Sequence, residues 1–412
     1  MFRARPQVNE VFTPRRTEVN RDIYIDRPDL EKELRRSLQG SLNTIVYGES
    51  GSGKSWLFKK VLSDLGSYVA TANCANALRF KSLTKEIQDV AGLEAPRRLT
   101  SQEEEMTASA KVVVAEGGMT STRHYEIAQG DPLLGCLSAV RRSAGQATAV
   151  LVIDNLEMIF SSKPLMDELA SVITVLDDAR YAKFNVKLLL VGVPSEIKDY
   201  FLQNHSSVAN RLNEISEVSS LTRMQVAELV RKGFQELLRT SFPEGLLESW
   251  QAHIFKVTMG FAQHVQEYCE QLGYIVEDEN WSATLDQLAT ADTQWLKGGL
   301  NHASGAIESL MNERETKIGR RNQVLYVLGR LERKTFHIAE IESLLREEFP
   351  ASTANVQLAV GQMLAELSGG RTPIIKRSPK GGTYQFKEAR FAMAVRALLK
   401  KDSTRERVFI AK

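Results

Sequence analysis

A run of eight residues near the amino end of the chain has the types and spacing of a phosphate-binding loop. The pattern G-x-x-x-x-G-K-[ST] is matched by Gly48, Glu49, Ser50, Gly51, Ser52, Gly53, Lys54 and Ser55. Its glycines let the backbone curl until successive N–H groups face phosphate oxygens. Lys54 is expected to reach the β- and γ-phosphates, and Ser55 to hold Mg²⁺. The run predicts binding of a nucleoside triphosphate; the alternative is a glycine-rich turn before a helix.

Acidic residues at the end of a second apolar segment are candidates for metal binding and catalysis. Residues 149–153 are continuously apolar and end at Asp154, as expected of a buried strand beside the loop strand. Asp154 is predicted to bind Mg²⁺, directly or through water. The next residue is Asn155, which can position a water but cannot accept its proton. Hydrolysis is therefore expected to be slow, or Glu157 supplies the base; alternatively Glu157 is a solvated residue at a helix start.

The elements around these residues indicate an α/β domain. Strands are predicted at 43–47, 67–72, 149–154 and 186–191, and helices from 56 onward, at 77–90 and at 165–179. Alternating strands and helices favour three layers around a mostly parallel sheet. Residues 93–108 are predicted to be an exposed connection. Strands at 111–115 and 119–128 flank Gly117 and Gly118 and predict a β-hairpin insertion at about 109–128, with two ordinary sheet strands as the alternative.

The second half of the chain is predicted to be mostly helical. Helices at 224–238, 246–257, 262–272 and 283–298 predict a small all-α unit, and a helix at 303–317 leads onward. Helices at 322–331, 338–348 and 353–367 then precede two short strands, 374–377 and 383–386. Three helices followed by a basic hairpin predict a winged helix-turn-helix.

Composition restricts the class of protein and its partners. The 412 residues suggest two to four domains, and no apolar run is long enough to span a membrane. Three scattered cysteines argue against a disulfide framework or a zinc site, so we expect a reducing, cytoplasmic setting. Residues 319–412 carry 18 Lys and Arg against nine Asp and Glu. That surplus favours a polyanionic partner over a merely solvated basic face. Residues 1–21, with five arginines, are predicted to be a mobile basic arm.

Taken in order, these segments resemble an AAA+ ATPase of the initiator type (origin-recognition-like) with a C-terminal winged helix. The resemblance is carried by residues 25–28, the phosphate loop, Ile153-Asp154, Gly192-Val193-Pro194, Asn210-Arg211-Leu212 and Leu221-Thr222. The similarity covers about residues 22–400 and, after the basic arm at 1–21, implies an AAA+ three-layer sandwich at 22–220, a helical lid at 221–300, a linker helix at 301–318 and a winged-helix domain at 319–412.

The resemblance also implies residue roles. Tyr24 and Arg27 are expected near the adenine of ATP, and Ser195 as the polar sensor. Arg211 is expected to reach the γ-phosphate of a neighbouring subunit, which implies a homo-oligomer; the alternative is a surface arginine. The lid has no arginine shortly after Gly260, where such proteins usually have one. His264 is a partial substitute or simply a structural residue.

Polar and basic residues of the predicted winged helix are candidates for binding duplex DNA. The candidates are Ser352, Thr353, Asn355 and Gln357 at the second helix and Lys376, Arg377 and Lys380 in the wing. Arg320, Arg321, Arg396, Lys400 and Lys401 are expected to extend this footprint. Residues 351–365 contain no Lys or Arg, which argues against base-specific readout. The alternative is a module that packs against the nucleotide domain, as in STAND-type ATPases.

The sequence thus favours an ATP-dependent AAA+ switch that oligomerises and associates with DNA. A STAND-like signalling ATPase, acting with a separate effector or regulator protein, is the alternative. An AAA+ regulator of transposition or recombination would differ from the first hypothesis only in its partner.

Overall fold

The computed structural model describes residues 4–92, 97–105, 120–127, 131–192, 196–311, 319–378 and 381–410. The chain divides into two compact units. The sheet unit is Asp26–Ser219, and the helical unit combines Met1–Ile25 with Ser220–Lys412. Within the described ranges every helix is too short or too polar to cross a bilayer.

The amino-terminal segment packs into the helical unit over residues 4–25. It contains the short helix α1 (Val8–Val11), whose two valines are buried. The Phe12 ring is buried and lies 5.0 Å from the Phe234 ring, measured between centroids. A side chain at Gly233 would collide with Phe12, because a Cβ there would lie 2.4 Å from the ring. The expectation of a mobile arm is therefore wrong for these residues, since their apolar side chains are core residues.

The sheet unit is built on a parallel five-stranded sheet with the order β2-β5-β6-β1-β7. The strands of this unit are β1 (Asn43–Tyr47), β2 (Tyr68–Asn73), β3 (Arg97–Glu105), β4 (Thr120–Ile127), β5 (Ala149–Asp154), β6 (Val186–Gly192) and β7 (Leu212–Glu214). Strands β1, β2, β5 and β6 lie where the sequence pattern predicts them.

Helices cover both faces of this sheet, as predicted. They are α2 (Pro28–Gln39), α3 (Lys54–Asp64), α4 (Cys74–Phe80), α5 (Leu83–Val90), α6 (Pro132–Ala144), α7 (Lys163–Val175), α8 (Ala179–Ala182), α9 (Glu196–Asn204) and α10 (Ser206–Ala209). Alternate strand residues point to opposite faces. Val150 and Val152 therefore pack with α2 and α3, whereas Leu151 and Ile153 pack with α5, α6 and α7. This is a three-layer α/β sandwich.

Strand β4 lies where the second strand of the predicted insertion is expected, but it pairs antiparallel with β3, which precedes the predicted bounds of about 109–128, in a separate two-stranded sheet. Its first strand begins at Arg97, so the prediction of an exposed connection over 93–108 is wrong for 97–105. The predicted strand 111–115 lies outside the described residues. Because β3 and β4 pair with each other and not with the five-stranded sheet, the hairpin is an addition to the central fold.

The helical unit continues from residue 220 with a group of α-helices. They are α11 (Arg223–Val230), α12 (Leu246–Thr258), α13 (Ala262–Asp278), α14 (Asp286–Gly298) and α15 (Asn301–Leu310), and a π-helical segment, Arg231–Leu237, extends α11. Their core is aromatic, with Trp250, Tyr268 and Trp295 fully buried. The predicted helix at 303–317 ends at Leu310, and residues 312–318 lie outside the description.

The carboxy-terminal elements of this unit alternate short strands with helices. They are α16 (Arg320–Arg330), β8 (Thr335–His337), α17 (Ile338–Glu348), α18 (Pro350–Thr353), α19 (Val360–Gly369), β9 (Ile375–Arg377), β10 (Thr383–Phe386), α20 (Ala389–Leu398), β11 (Leu399–Asp402) and β12 (Arg407–Ile410). Strands β8, β10 and β9 form one antiparallel sheet, and β11 pairs with β12. The predicted hairpin is present.

The single helix predicted over 353–367 is wrong. Helix α18 ends at Thr353 and α19 begins at Val360. Between them the backbone is left-handed at Asn355 (φ 52°) and at Ala359 (φ 50°), a conformation that interrupts a right-handed helix.

Helix α20 joins the carboxy-terminal elements to the helices before them, packing against α12, α14, α15 and α16. Arg396 on α20 donates to the carbonyls of Lys256 (2.9 Å), Gly329 (2.7 Å) and Leu331 (2.5 Å). These carbonyls lie at the carboxyl ends of α12 and α16, where a helix lacks its own donors and carries partial negative charge. Helix α20 is therefore tied to the carboxyl ends of α12 and α16 within the helical unit.

Candidate functional site

The glycine-rich loop between β1 and α3 has the backbone that its sequence predicts. Gly51 and Gly53 have positive φ angles, and Gly53 in the left-handed region precedes the first turn of α3. Gly48 has no space for a side chain, because a Cβ there would lie 2.4 Å from the Val218 carbonyl oxygen. Val218 also donates its N–H to the Tyr47 carbonyl at 2.9 Å. The loop is thus seated against the last residues of the sheet unit.

Lys54 folds back over this loop. Its Nζ donates to the carbonyls of Gly48 (2.8 Å) and Glu49 (3.0 Å). Burial lowers the pKa of Lys54, and Glu157, Asp154 and Glu49 oppose that shift in this order of strength. The ammonium therefore lies within electrostatic reach of both candidate catalytic carboxylates.

The three serines of the loop differ in exposure. Ser50 and Ser55 are exposed, whereas Ser52 is fully buried. The Ser55 hydroxyl lies in the first turn of α3 and is accessible to a ligand. The Ser52 hydroxyl has no hydrogen-bond partner among the described residues, while its carbonyl accepts a bond from Arg27.

Asp154 ends β5 at the same carboxyl edge of the sheet. The expectation that its strand lies directly beside the loop strand is wrong, because β6 lies between β5 and β1. Asp154 Oδ1 accepts the Asn155 N–H at 2.8 Å. Burial raises the pKa of Asp154, and the Asn155 N–H, Lys59 and Lys54 counteract that rise. A half-buried carboxylate facing lysines at this edge is suited to a cation bound with phosphates.

Asn155 is held by a neighbour that the sequence analysis missed. Its backbone is left-handed (φ 59°), a conformation that Asn adopts more readily than most residues. Its Nδ2 donates to Asn73 Oδ1 at 3.2 Å, and the Asn73 N–H donates to the buried carboxylate of Glu86 at 2.9 Å. Asn73 ends β2 and is the register partner of Asp154. The available signal in the sequence was that Asn73 is a polar residue directly after the predicted strand 67–72.

Glu157 lies in a short 3₁₀ helix, Leu156–Met158, directly after Asn155. Its side chain is exposed. Of the three carboxylates that act on Lys54, Glu157 acts most strongly, so it belongs to the same cluster as Lys54 and Asp154.

Arg211 lies at the opposite edge of the sheet. Its carbonyl accepts the N–H of Asn43 at 2.9 Å, at the start of β1, whereas the glycine-rich loop follows the end of β1. Five strand residues separate the two edges by about 15 Å. Arg211 therefore does not contribute to the loop of its own chain.

Arg27 and Tyr24 fall on either side of the boundary between the units. Arg27 belongs to the sheet unit, and its guanidinium donates to the carbonyls of Ser52 (2.7 Å) and Ser219 (2.9 Å). Tyr24 belongs to the helical unit, where its side chain is buried and its carbonyl accepts Lys232 Nζ at 3.4 Å. Their expected proximity to adenine stays a prediction.

Two other residues, His264 and Ser195, are candidates from the sequence for sensing the nucleotide. His264 is 4% exposed, and its Nδ1 lies 2.8 Å from Glu267 Oε2 on the same helix, α13. This favours the structural interpretation of His264. Ser195 lies outside the described residues.

The predicted DNA-binding residues are unequally accessible. Asn355, Gln357, Lys376 and Arg377 are exposed, and Lys380 lies outside the described residues. Thr353 is 1% exposed and donates its hydroxyl to the Phe349 carbonyl at 2.7 Å, so its assignment to a DNA surface is wrong. The half-buried Ser352 hydroxyl accepts Gln323 Nε2 at 3.0 Å and is a poor candidate for the same reason.

The cations expected to flank this surface are engaged in contacts within the helical unit. Arg320 donates to the Ser352 carbonyl, Arg321 pairs with Glu366, and Arg396 bonds three carbonyls. Lys400 lies 3.8 Å from Asp292, and Lys401 lies 3.1 Å from Glu348. Part of the basic surplus of residues 319–412 is therefore structural.

Comparison with known proteins agrees with this architecture. Residues 36–201 match the sequence model of a family described as AAA domain. The sheet unit has the AAA+ fold. The match covers β1, β2, β5, β6 and the loop with Lys54. We found no curated protein similar to the chain.

Two solved structures share the fold. The Walker-type ATPase PABY2304 of Pyrococcus abyssi is 15% identical, with 93% of this chain and 99% of that chain covered and a TM-score of 0.50. The ORC2 protein of Aeropyrum pernix, in ADPNP–ADP complexes, is 14% identical, with 94% and 96% covered and a TM-score of 0.51. At such low identities these similarities concern the fold.

Proposed function

We propose that the sheet unit binds ATP with Mg²⁺ at residues 48–55 and hydrolyses it slowly. The observation that carries the proposal is that Asp154 and Glu157 act electrostatically on Lys54 beside a loop in which Gly51 and Gly53 have positive φ angles. The loop N–H groups and the start of α3 would bind the phosphates. Lys54 would exchange its loop carbonyls for β- and γ-phosphate oxygens.

The residues present fit a magnesium ion. Ser55 offers an exposed hydroxyl and Asp154 a half-buried carboxylate. Among the described residues there is no group of three or more His, Cys, Asp or Glu side chains that could hold a metal ion by themselves. Magnesium needs no such cage, since it completes its shell with waters and nucleotide phosphates. When bound, it would neutralise phosphate charge.

Slow hydrolysis follows from Asn155. Its amide, anchored on Asn73, would orient a water but not remove its proton. Glu157 is then the carboxylate available as base. This combination suits a switch that is held in its ATP state until a partner accelerates turnover.

Self-association is the second part of the proposal. Arg211 lies far from the loop of its own chain and is 28% exposed. A neighbouring copy that presents this edge to the loop would add a planar cation to the γ-phosphate. ATP at such a junction would favour the oligomer, because it binds the assembled site.

Duplex DNA is the proposed partner of residues 320–386, which we interpret as a winged helix. Support comes from the order α16, β8, α17, α19, β9 and β10, with β9 and β10 forming the wing. Lys376 and Arg377 are exposed on the wing and make no ion pair within the described ranges. Asn355 and Gln357 lie in the exposed segment before α19. Contacts to phosphate are favoured over base readout, since α19 carries no cation.

The testing experiment is ATP turnover of the purified protein with and without duplex DNA, at low and moderate salt. We expect low basal turnover that DNA stimulates, with less stimulation at higher salt. Lys54→Ala should abolish nucleotide binding, whereas Lys85→Ala, a change at an exposed lysine on α5, should not. Unchanged ATP affinity in Lys54→Ala would refute the site.

The DNA part has its own variant. Lys376→Glu with Arg377→Glu should remove the stimulation and lower the salt slope of DNA binding by about two. Lys32→Glu with Arg36→Glu, at exposed positions on α2, is the matched control. Near-zero turnover that DNA does not alter would overturn the DNA-dependent switch and favour a signalling ATPase awaiting a protein partner.

A further inference from the structure

Arg27 is a buried arginine whose position is fixed from several sides. It precedes α2, where Pro28 occupies the first turn, and its backbone N–H donates to Glu31 Oε1 at 2.9 Å. Lys60 on α3 contacts Glu31 Oε2 at 2.7 Å, which ties the start of α2 to the helix after the glycine-rich loop. Arg27 itself is 8% exposed. Its guanidinium therefore has little freedom to turn elsewhere.

The guanidinium joins two backbone segments that are distant in sequence. One terminal nitrogen donates to the carbonyl of Ser52, inside the glycine-rich loop, at 2.7 Å. The other donates to the carbonyl of Ser219 at 2.9 Å. Hydrogen bonds from a cation to buried carbonyls are among the stronger ones in proteins. A single side chain thus holds the loop and the last residue of the sheet unit together.

Ser219 and Arg27 mark the places where the chain passes between the units. These connections are Ile25–Asp26 and Ser219–Ser220. Arg27 lies next to the first connection and binds the residue at the second. The loop also touches the segment before the second connection, because Gly48 is packed against the Val218 carbonyl. Both connections are therefore linked to the phosphate loop through Arg27.

We propose that Arg27 is a positioning residue that couples nucleotide occupancy of the loop to the two connections between the units. The inference rests on the proposed nucleotide binding. N–H groups that turn toward phosphate leave their loop carbonyls pointing away from it, and Arg27 binds one of those carbonyls. A loop ordered by nucleotide would hold Ser52 and, through the guanidinium, Ser219. The connections would then be firmer in the nucleotide-bound protein than in the free protein.

Hydrogen exchange with and without MgADP tests this coupling in the full chain. In the wild type, saturating MgADP should slow exchange in peptides covering the loop and in those covering residues 216–222. Arg27→Gln keeps a polar side chain but cannot bridge both carbonyls. This variant should bind MgADP about tenfold more weakly. At saturation it should retain slowed exchange in the loop and lose the nucleotide response at 216–222.

The controls separate coupling from general stability and from nucleotide binding itself. Arg36→Gln changes an exposed arginine on α2 and should behave as the wild type. If Arg27→Gln does not fold, Arg27→Met, which keeps the apolar stem but has no hydrogen-bond donor, should show the same selective loss at 216–222. An unaltered response at 216–222 in a folded Arg27 variant would overturn the inference. A wild type that binds MgADP without any response there would overturn it too, whereas a wild type that does not bind MgADP refutes the proposed function.

Discussion

The Arg211 guanidinium is paired with Asp177 at the amino edge of the sheet, Nε donating to Asp177 Oδ2 at 2.6 Å. The same guanidinium donates to the Ser207 carbonyl at 2.6 Å. The side chain of Asp177 is 58% exposed, so the pair is screened by solvent and contributes little to stability. Such a pair holds the arginine in one orientation without a large cost for its release.

Arg211→Ala should reduce ATP turnover on the order of 10³-fold while leaving nucleotide affinity unchanged. The reason is that the cation would act on the γ-phosphate of a neighbouring copy and not on its own loop. Turnover and affinity are measured over a range of protein concentrations. Arg180→Ala, a change at an exposed arginine paired with Asp178, is the control.

Mixing variants tests whether Arg211 acts in trans. Arg211→Ala retains an intact Lys54, and Lys54→Ala retains Arg211, so a mixed oligomer contains junctions with both residues. Turnover should reappear when the two inactive proteins are combined. If the mixture stays as inactive as its components, Arg211 is not a trans finger.

Glu157→Gln should lower turnover about a hundredfold with little effect on ATP affinity. Glutamine has nearly the same shape but cannot accept a proton from the attacking water. Single-turnover hydrolysis and nucleotide titration measure the two quantities separately. Asp89→Asn removes an exposed carboxylate on α5 as the control. Equal turnover in Glu157→Gln and the wild type would mean that Glu157 is not the base and is only a solvated residue at the start of a helix.

Nucleotide affinity should fall as the pH rises toward 10.5, the ordinary pKa of a lysine. Burial lowers the pKa of Lys54, so the ammonium that would bind phosphate loses its proton below that value. The sign follows because only the protonated form attracts the phosphates. Affinity is measured from neutral pH upward in the wild type and in Lys54→Arg. Arginine stays charged, so its profile should be flat; parallel profiles would contradict the assignment.

Arg396→Ala should lower the free energy of unfolding of the protein by about 3 kcal/mol, since three carbonyls lose a charged donor. Burial also lowers the pKa of Arg396, a sign that the guanidinium lies in a poorly solvated place between helices. Denaturant unfolding measures the change. Arg390→Ala, at an exposed position on the same helix, should be close to neutral. A loss below about 1 kcal/mol would mean that water replaces the guanidinium.

Much of the sheet unit was predictable because its signals are local. The glycines and Lys54 sit in a short run whose backbone requirements only a few residue types satisfy. The apolar residues of β5 and β6 predict strands buried on both faces, since no alternation with polar residues occurs. The strand order was less accessible: β6 lies between β5 and β1, and pairing in a parallel sheet depends on crossovers that no local pattern specifies.

The helical unit shows where local reasoning fails. Residues near Phe12 look like a polar, arginine-rich tail, yet Phe12 fills the space left by Gly233 far along the chain. Thr353 is a short polar residue of the kind that contacts DNA in a groove. Its hydroxyl, however, donates to the Phe349 carbonyl at the start of α18. The environment of Phe12 is supplied by a residue distant in sequence, and that of Thr353 by a short helix whose end the sequence pattern did not predict.

The sequence by itself determined the phosphate loop and the alternation of strands and helices in the sheet unit, because each depends on neighbouring residues. Only the tertiary structure decided which charges are functional candidates. The sequence alone does not distinguish the roles of Arg27, Arg211 and Arg396. In the structure Arg27 joins the glycine-rich loop to Ser219, and Arg211 pairs with Asp177 at the amino edge of the sheet. Arg396 binds carbonyls at the carboxyl ends of α12 and α16. The physical reason is that the role of an arginine depends on which hydrogen-bond acceptors lie near its guanidinium in the folded chain.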